Sequence, residues 1–413
     1  MARRVLVVSP EPLRRVRAGV AIRLVEIARR LHGRHAVTLA APAVEEGLDV
    51  PFAALKHSPP SLASLLAAAD VAIVHGHVGN DVLDAAPRCP LIFDLYDPFL
   101  VENLAYAATL GPAVHRYDLL TLRRQVERGD FFLCASEEQR AFYLGMLALQ
   151  GRINPATYAK GRDLRHLLAV VPFGVPTEPA PARHGELRAR LGTGDAPLVF
   201  YGGIYDWYDP FTAIDALELL RRRGGLLGTS RLLLVRNPNA ATTPQELFSA
   251  ALDRARAKGL GDAVVVLDWI PYEERGWAFA GADAALVTHR DGIETDLSFR
   301  TRLLDFLWAG LPVVATSGGG ASALVARAGG GRIVPTASAE PAAQALGEIL
   351  ADPALARSLG EAGQSYAREH LTWDRALEPL VRWLEEPTID IHKPAPEDGA
   401  RRGGLLSRVF GGL

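Results

Sequence analysis

Short apolar runs alternate with longer stretches of helical periodicity along most of the chain. The runs are continuous, as in parallel strands that helices cover on both faces, and each predicts a strand. Between the first two runs, the apolar residues from Ile22 to Leu31 lie at helical spacing, and Gly33 ends that helix. The first series of runs is RVLVVSP, HAVTLAAP, DVAIVHGH, PLIFDLYDP and DFFLCAS, and the second is APLVFYGGI, SRLLLVRNP, AVVVLDWIP, AALVTHR, LPVVAT and GRIVP.

A Pro-rich segment, VVPFGVPTEPAPARHG at residues 170–185, separates the two series and predicts a linker. Two successive series of strands and helices predict an α/β protein with two doubly wound, Rossmann-like domains that face each other across a cleft. The length of 413 residues is sufficient for two such domains.

The composition excludes several classes of protein. A formal net charge of −2 argues against a nucleic-acid partner, which usually requires a clear basic excess. The two cysteines, Cys89 and Cys134, form no CxxC motif, so neither a disulfide framework nor a zinc site is expected. The N-terminal apolar run is too short for a signal peptide, and no run is long enough for a transmembrane helix. We therefore expect a cytoplasmic protein.

The residues from Thr388 to the end have the Pro and charge content of a flexible tail. The last stretch, GGLLSRVFGGL, has apolar residues at helical spacing beside Arg401, Arg402 and Arg408. Two interpretations stay open, a frayed tail or a weak contact with the inner face of a membrane.

In open α/β sheets, ligands bind at the carboxyl ends of the strands, so the loops that follow the strands are candidate binding sites. One loop, GIYDWYDP, begins at Gly203 and contains Tyr205, which can pack on a sugar or a base or simply line a turn. Another begins at Arg236, and in a third Trp269 and Ile270 can form a wall against a flat ring.

The segment LSFRTRLLDFLWAGLPVVAT, residues 297–316, places charges at the start of an apolar helix. We expect Ser298 to cap a helix that runs from Phe299 to about Ala309. Arg300 and Arg302 then fall in the first turn, where the helix dipole favours acids, so a bound anion would explain them. Asp305 either pairs with Arg302 within the helix or accepts hydrogen bonds from the vicinal hydroxyls of a ribose.

Other nucleotide and hydrolase motifs are absent from the sequence. There is no GxGxxG after a first strand, no GxxxxGK[ST] and no GxSxG. A nicotinamide dehydrogenase, a P-loop enzyme and an α/β-hydrolase are therefore poorly supported.

An ordered set of motifs resembles one family over nearly the whole chain, to about residue 387. LLDFLWAGLPVVATSGGG is similar to the LEAMAxGxPVVAT region of retaining, family-4-type (group 1) glycosyltransferases of the GT-B fold, and VPFGVP is similar to their interdomain IPNGVD. SFRTRLLDFLWAG resembles a branch of this family found among polysaccharide-assembly enzymes.

The resemblance implies four segments in the chain. Residues 1–175 would be the acceptor-side domain and 176–372 the nucleotide-sugar domain. A closing helix at 373–387 would return to the N-terminal domain, and 388–413 would be the tail.

The resemblance also assigns roles in binding the donor. Asp305 matches the carboxylate that holds the ribose, the turn from Ser298 through Phe299 and Thr301 to Arg302 matches the diphosphate site, and Trp269 and Ile270 match the base-binding loop.

Two departures from the family pattern change the expected site. The carboxylate that contacts the donor sugar would fall at Leu297, and the usual basic pair would fall near Gly203 and Tyr208. We infer that Arg300 and Arg302, together with Arg236, supply the missing positive charge, because the stabilisation of a leaving group is electrostatic.

On the acceptor side, the family's usual histidine would fall near Tyr96. Asp97 is the nearest titratable group and is the candidate that orients or deprotonates the acceptor hydroxyl, although an Asp before Pro98 can also be an ordinary turn residue. Asp94, His75 and His77 are alternatives. Gly19, before the first helix, can admit the backbone close to the donor phosphates.

The sequence thus predicts a glycosyltransferase of the hexosyltransferase class, with Asp97, Arg300 and Arg302 as catalytic residues. Its substrates would be a nucleoside-diphosphate sugar and a sugar or lipid-linked acceptor, in polysaccharide or glycoconjugate biosynthesis. No cofactor and no metal ion are expected. The alternatives are a degenerate GT-B protein that binds nucleotide or scaffolds an assembly complex, and a sugar-nucleotide epimerase.

Overall fold

Two parallel sheets, one in each half of the chain, form the framework of the protein in a computed structural model. The structure describes residues 2–17, 19–107, 111–182, 185–236 and 245–393. All strand pairs within both sheets are parallel.

The first sheet has the order β3-β2-β1-β4-β5-β6-β7 and the second has the order β10-β9-β8-β11-β12-β13. The strands are β1 Arg4–Val8, β2 Ala36–Ala41, β3 Ala53–Lys56, β4 Val71–His75, β5 Leu91–Asp94, β6 Phe131–Cys134, β7 Leu168–Val170, β8 Leu198–Gly202, β9 Arg231–Val235, β10 Val264–Leu267, β11 Ala284–Val287, β12 Val313–Thr316 and β13 Gly331–Val334. Every predicted strand is present, in the doubly wound order that was expected.

The helices cover both faces of each sheet, with short 3-10 turns between some elements. In the N-terminal half they are α1 Gly19–His32, α2 Pro59–Ala68, α3 Gly79–Asp84, α4 Phe99–Glu102, α5 Pro112–Arg128, α6 Glu137–Leu149 and α7 Pro155–Lys160. The C-terminal half contains α8 Glu186–Leu191, α9 Pro210–Arg222, α10 Glu246–Ala257, α11 Arg275–Ala280, α12 Ile293–Leu297, α13 Thr301–Trp308, α14 Gly319–Ala328, α15 Ala339–Ala351, α16 Pro353–His370, α17 Trp373–Ala376 and α18 Glu378–Glu385.

Two strands, β3 and β7, were not predicted from the sequence. Strand β3 lies at the sheet edge, and most of its side chains are exposed. Strand β7 is only three residues long and continues directly into the Pro-rich segment.

A buried ion pair joins helix α1 to the end of strand β5. Both nitrogens at one edge of the Arg23 guanidinium donate to Asp94, Nε to Oδ2 at 2.7 Å and Nη2 to Oδ1 at 3.0 Å. The same guanidinium donates to the carbonyl oxygens of Val171 and Pro172, at 2.8 and 3.0 Å, just after β7. Because both charged side chains are completely buried, this pair fixes the cleft-facing end of the first sheet.

The C-terminal segment of the described chain packs on the N-terminal domain. The backbone of Val175 pairs with that of Thr372, and the Trp383 ring on α18 stacks on Phe131 of β6 with centroids 4.9 Å apart. Further along, Arg152 Nη2 donates to Asp390 Oδ2 at 2.8 Å.

The first residues of the expected flexible tail are therefore held in place. Asp390 is buried, so the boundary expected at residue 388 comes too early. Residues 394–413, with the amphipathic end and its expected membrane contact, lie outside the described residues. In the described part of the chain, no helix combines the length and apolarity needed to cross a membrane.

Replacing Asp94 tests the buried ion pair. Asp94→Ala leaves the buried Arg23 charge without its partner, so we expect the free energy of unfolding to fall by about 3–5 kcal/mol. Urea unfolding at pH 7 measures the loss. The matched control is Asp70→Ala, which removes a similar two-pronged contact to the exposed Arg4 and should have a much smaller effect.

The same pair predicts a pH dependence. Burial alone would raise the pKa of Asp94, but the Arg23 guanidinium and His75 lower it from 3.8 to about 2. The stabilisation is therefore complete above pH 3.8 and disappears as the pH falls towards 2. A wild-type protein whose stability advantage over Asp94→Ala stays constant through this window would contradict the assignment.

Candidate functional site

Two adjoining cavities lie between the domains, at the carboxyl ends of the strands of both sheets. The Trp269 cavity has a volume of about 180 Å³ and the Asp97 cavity about 480 Å³. Four residues line both cavities and mark their junction: Gly19, Tyr205, Thr301 and Arg302.

Nearly all of the predicted site residues line one or both of these cavities. The Trp269 cavity is also lined by Gly203, Trp269, Ile270 and Asp305. The Asp97 cavity is also lined by Asp97, Ser298, Phe299 and Arg300.

Arg236 is the one predicted site residue that lines neither cavity. Its side chain is 55% exposed, its Nε lies 3.9 Å from Asp268 Oδ1, and its guanidinium lies over the Phe248 ring. The prediction that Arg236 supplies positive charge to the cleft is therefore wrong, because its side chain turns to the surface at the end of β9.

Arg302 occupies the space beside Gly203 and Tyr208. Its Nη1 donates to the carbonyl oxygens of Tyr201 at 3.0 Å and Gly203 at 2.8 Å, and its guanidinium carbon lies 4.6 Å from the centre of the Tyr208 ring. A Cβ atom on Gly202 would lie 3.1 Å from the same nitrogen, so glycine leaves room for the guanidinium. Arg302 thus places a positive charge next to Gly203 and Tyr208, the two positions where the resemblance implied a basic pair and the sequence has none.

Arg300 is buried and paired. Its Nη2 contacts both carboxylate oxygens of Glu294, at 2.7 and 2.5 Å. Its guanidinium also lies 5.4 Å from the centre of the Tyr208 ring. The charge of Arg300 is therefore partly balanced, and Arg302 is the arginine of the two with no carboxylate partner among the described residues.

Helix α13 begins later than the sequence predicted. Ser298 follows α12, and Arg300 is the N-cap residue of a helix that starts at Thr301. The predicted N-cap role of Ser298 is therefore wrong, because a short helix at 293–297 takes up the residues before it. The Ser298 hydroxyl is buried and has no hydrogen-bond partner among the described residues.

Asp305 pairs with Arg275 rather than with Arg302. Arg275 Nε donates to Asp305 Oδ1 at 2.9 Å, Nη1 donates to the Tyr272 carbonyl oxygen at 2.7 Å, and Nη2 is buried without a partner in the described chain. Burial raises the pKa of Asp305, although Arg275 opposes the rise. The proposed intrahelical pair is thus absent, and a carboxylate and an arginine face the Trp269 cavity together.

Three carboxyl groups of the N-terminal domain line the Asp97 cavity. Asp97 follows β5, and Glu102 lies at the end of α4 on the same cavity. Burial, followed by the Asp97 charge, raises the pKa of Glu102 well above its usual value. Glu11 accepts a hydrogen bond from the backbone nitrogen of Ala21 in the first turn of α1, at 3.2 Å, and burial raises its pKa too.

Two of the three alternatives to Asp97, Asp94 and His77, have hydrogen-bonded partners, whereas the buried Nδ1 of His75 has none among the described residues. Asp94 is held by Arg23, and His75 Nδ1 lies 3.7 Å from Asp94 Oδ2. His77 follows β4, and its Nε2 lies 2.6 Å from Asp118 Oδ1. Within the described ranges, no group of three or more His, Cys, Asp or Glu side chains is placed to hold a metal ion.

Gln139 on α6 connects the two domains beside the site. Its Nε2 donates to the Tyr96 carbonyl oxygen at 2.9 Å and to the Leu297 carbonyl oxygen at 2.8 Å. The Leu297 carbonyl oxygen therefore contacts the acceptor-side domain, and its side chain is buried.

Several lining residues were missed from the sequence because their signals are weak when taken alone. Arg17, Tyr272 and Arg275 reach the Trp269 cavity from loops and helix ends. Glu11 and Glu102 look like ordinary surface acids in the sequence. Only the fold shows that α4 and the loop after β1 reach the same cleft.

Replacing Glu102 tests its raised pKa. In the wild-type protein, the folded state keeps the Glu102 proton at pH values where the unfolded chain has lost it. Stability is therefore lost as the pH rises from 4.5 through the folded-state pKa. Since glutamine resembles the protonated acid, Glu102→Gln should be more stable than wild type by an amount that grows with pH.

Urea unfolding between pH 4 and pH 9 measures this difference, with the exposed Glu361→Gln as the control. A Glu102→Gln variant that is less stable than wild type at pH 8 would show that Glu102 is ionised in the folded protein.

Comparison with known proteins links the second domain to one family. Residues 197–352, from just before β8 to the end of α15, match the family model described as Glycosyl transferases group 1.

Two relatives share the same description, GDP-mannose-dependent alpha-(1-6)-phosphatidylinositol monomannoside mannosyltransferase. The chain is 30% identical over 224 residues to the protein of Mycolicibacterium smegmatis, across 53% of this chain and 55% of that one. It is 28% identical over 223 residues to a Mycobacterium tuberculosis protein, across 52% and 55% of the two chains. The match spans about half the length of these relatives.

Solved structures establish the fold of the whole chain. Anabaena HepE in complex with UDP-glucose superposes with a TM-score of 0.71 at 16% identity, over 93% of this chain and 99% of that one. WaaG, a glycosyltransferase involved in lipopolysaccharide biosynthesis, superposes with a TM-score of 0.64 at 16% identity, over 93% and 100% of the two chains. The chain has the GT-B fold, as the sequence predicted.

Proposed function

We propose that the protein is a glycosyltransferase that moves a sugar from a nucleoside-diphosphate sugar to an acceptor hydroxyl. The observation that carries this proposal is the position of Arg302, whose guanidinium lies against Gly203 and Tyr208 at the junction of the two cavities. A cation at that junction can stabilise the negative charge that develops on a departing diphosphate.

In this proposal the Trp269 cavity holds the nucleoside. Trp269 and Ile270 offer a flat apolar wall, and Asp305 and Arg275 offer an acceptor and a donor of hydrogen bonds. A ribose hydroxyl can donate to Asp305 and accept from the free Nη2 of Arg275. The diphosphate then extends from the Trp269 cavity towards the start of α13 and Arg302.

The Asp97 cavity holds the acceptor in this proposal. The carboxylate of Asp97 accepts the hydrogen bond of the reacting hydroxyl and orients it towards the donor sugar. Burial and the Asp97 charge raise the pKa of Glu102, which favours its neutral form beside Asp97. Contacts such as those of Gln139 close the cleft, exclude water and limit hydrolysis of the donor. Retention of configuration and a role in polysaccharide or glycoconjugate assembly are carried over from the family that the sequence resembles.

A second candidate is a GT-B protein that binds nucleotide without transferring a sugar. Leu297 stands where the family's sugar-contacting carboxylate is expected, and Arg275 already engages Asp305. Tight nucleotide binding without hydrolysis or transfer to any of a panel of acceptors would favour this candidate. A sugar-nucleotide epimerase is distinguished by incubating donor alone and looking for the isomerised sugar.

Arg300, the second arginine predicted to be catalytic, also lines the Asp97 cavity and adds positive charge beside Arg302, so it tests the electrostatic part of the proposal. Arg300→Gln removes the charge but keeps a donor for Glu294, so the fold should be retained while the rate of transfer falls about 10²–10³-fold. Mass spectrometry of the glycosylated acceptor and of the released nucleoside diphosphate measures the rate, and Arg300→Lys should recover part of it.

The matched control is Arg236→Ala, since this arginine lies on the same side of the second sheet but outside both cavities. Its rate should stay within about threefold of wild type, as for most surface substitutions. A folded Arg300→Gln protein with wild-type transfer would refute the role given to this cation.

A further inference from the structure

The Asp97 cavity has two chemically different walls. The N-terminal domain contributes the carboxyl groups of Glu11, Asp97 and Glu102. The C-terminal domain contributes aromatic rings, among them Trp207, which stacks on Tyr205 with centroids 5.2 Å apart and an angle of 3°. Tyr106 of the N-terminal domain meets the edge of Trp207 with centroids 6.1 Å apart.

Two buried polar groups at this cavity have no partner in the described chain. The Ser298 hydroxyl and the Arg300 Nε are unpaired, although the two residues are only 2% and 7% exposed and both line the cavity. Since buried polar atoms are nearly always hydrogen-bonded, a polar ligand is expected to complete them. This observation is independent of the carboxyl groups on the opposite wall.

The positive charges near the carboxyl groups are already engaged. Arg23, beneath the cavity floor, is held by Asp94 and two carbonyl oxygens. Arg300 is paired with Glu294, and Arg302 faces the junction with the Trp269 cavity. An anionic group bound against the N-terminal wall would therefore face Asp97 and Glu11, whereas the two arginines that line this cavity, Arg300 and Arg302, belong to the opposite wall.

A sugar ring without charge matches both walls. Its hydroxyl groups donate to carboxylates and accept from Ser298 and Arg300, while its C–H face packs on an aromatic ring. A carboxylate or a phosphate on the ring would instead be repelled by like charges.

We propose that the Asp97 cavity binds an uncharged, polyhydroxylated sugar ring as the acceptor and rejects rings that carry an anionic group. This inference rests on the proposed function, and it adds the chemical class of the acceptor. Anionic groups elsewhere on a larger acceptor, outside this cavity, are compatible with it.

The test compares pairs of 4-nitrophenyl glycosides that differ only in charge. Each hexoside of glucose, galactose and mannose is paired with the uronide that has a carboxylate in place of its CH₂OH group. Saturation-transfer NMR with competition gives the Kd of each compound for the full chain saturated with a nucleoside diphosphate. We expect at least one hexoside to bind about tenfold or more tightly than its uronide.

Variants test whether the carboxyl groups of the N-terminal domain cause the preference for uncharged rings. Asp97→Asn should weaken binding of the hexoside and narrow the ratio between the two Kd values to about threefold or less, and Glu11→Gln should shift the ratio in the same direction. Asp49→Asn is the control, because Asp49 is exposed and lines neither cavity, and it should keep the wild-type ratio.

Three outcomes would overturn the inference: uronides that bind as tightly as hexosides, a ratio that Asp97→Asn leaves unchanged, or no binding of either series to the nucleotide-saturated protein. Binding of the nucleoside diphosphate is measured on the same sample. Its absence would refute the proposed function itself, whereas a wrong preference between rings would refute only the acceptor class.

Discussion

The Arg302 guanidinium ties the start of α13 to the end of β8. It does so through hydrogen bonds to two backbone carbonyl oxygens, those of Tyr201 and Gly203. Because both acceptors are neutral carbonyl oxygens, the hydrogen bonds leave the positive charge of the guanidinium available at the junction of the two cavities. The close approach needs a residue without a Cβ at Gly202, whose φ of 91° also favours glycine.

The buried charged side chains around this junction form ion pairs. Arg300 is held by Glu294, and Asp305 is held by Arg275, so the buried groups on either side of Arg302 are compensated. Burying an unpaired charge is costly, and pairing lets a cleft with an apolar floor carry several charges. On the opposite wall, burial and the Asp97 charge raise the pKa of Glu102, which favours the neutral acid there. The result is a positive donor side and an acidic acceptor side across one cleft.

The sequence was sufficient to predict the architecture because continuous apolar runs mark buried parallel strands. It missed β3, whose side chains are mostly exposed, and β7, whose apolar run at 167–171 leads directly into the Pro-rich segment. At the site, Trp269 was predicted from its place in the loop after a strand, whereas Asp97 was predicted from the position of the family's usual histidine. Arg236 also follows a strand, yet its side chain turns outward, and a one-dimensional pattern contains no information on that choice.

The charged pairs could not be predicted from the sequence for a related reason. Asp305 lies three residues from Arg302, which made an intrahelical pair plausible, but its partner Arg275 is 30 residues away in the sequence. Glu102 and Glu11 are brought to Asp97 by elements from different parts of the first domain. Partners at such separations are set by tertiary packing, which local spacing does not reveal.

The central claim is that the cation beside Gly203 comes from α13 and binds the diphosphate of the donor. Isothermal titration calorimetry with Arg302→Met tests it directly, with each nucleoside and its diphosphate as paired ligands. The claim predicts that the variant binds the nucleoside as the wild-type protein does, but loses about tenfold or more in affinity for the diphosphate. Equal diphosphate affinity in a folded Arg302→Met protein would contradict it.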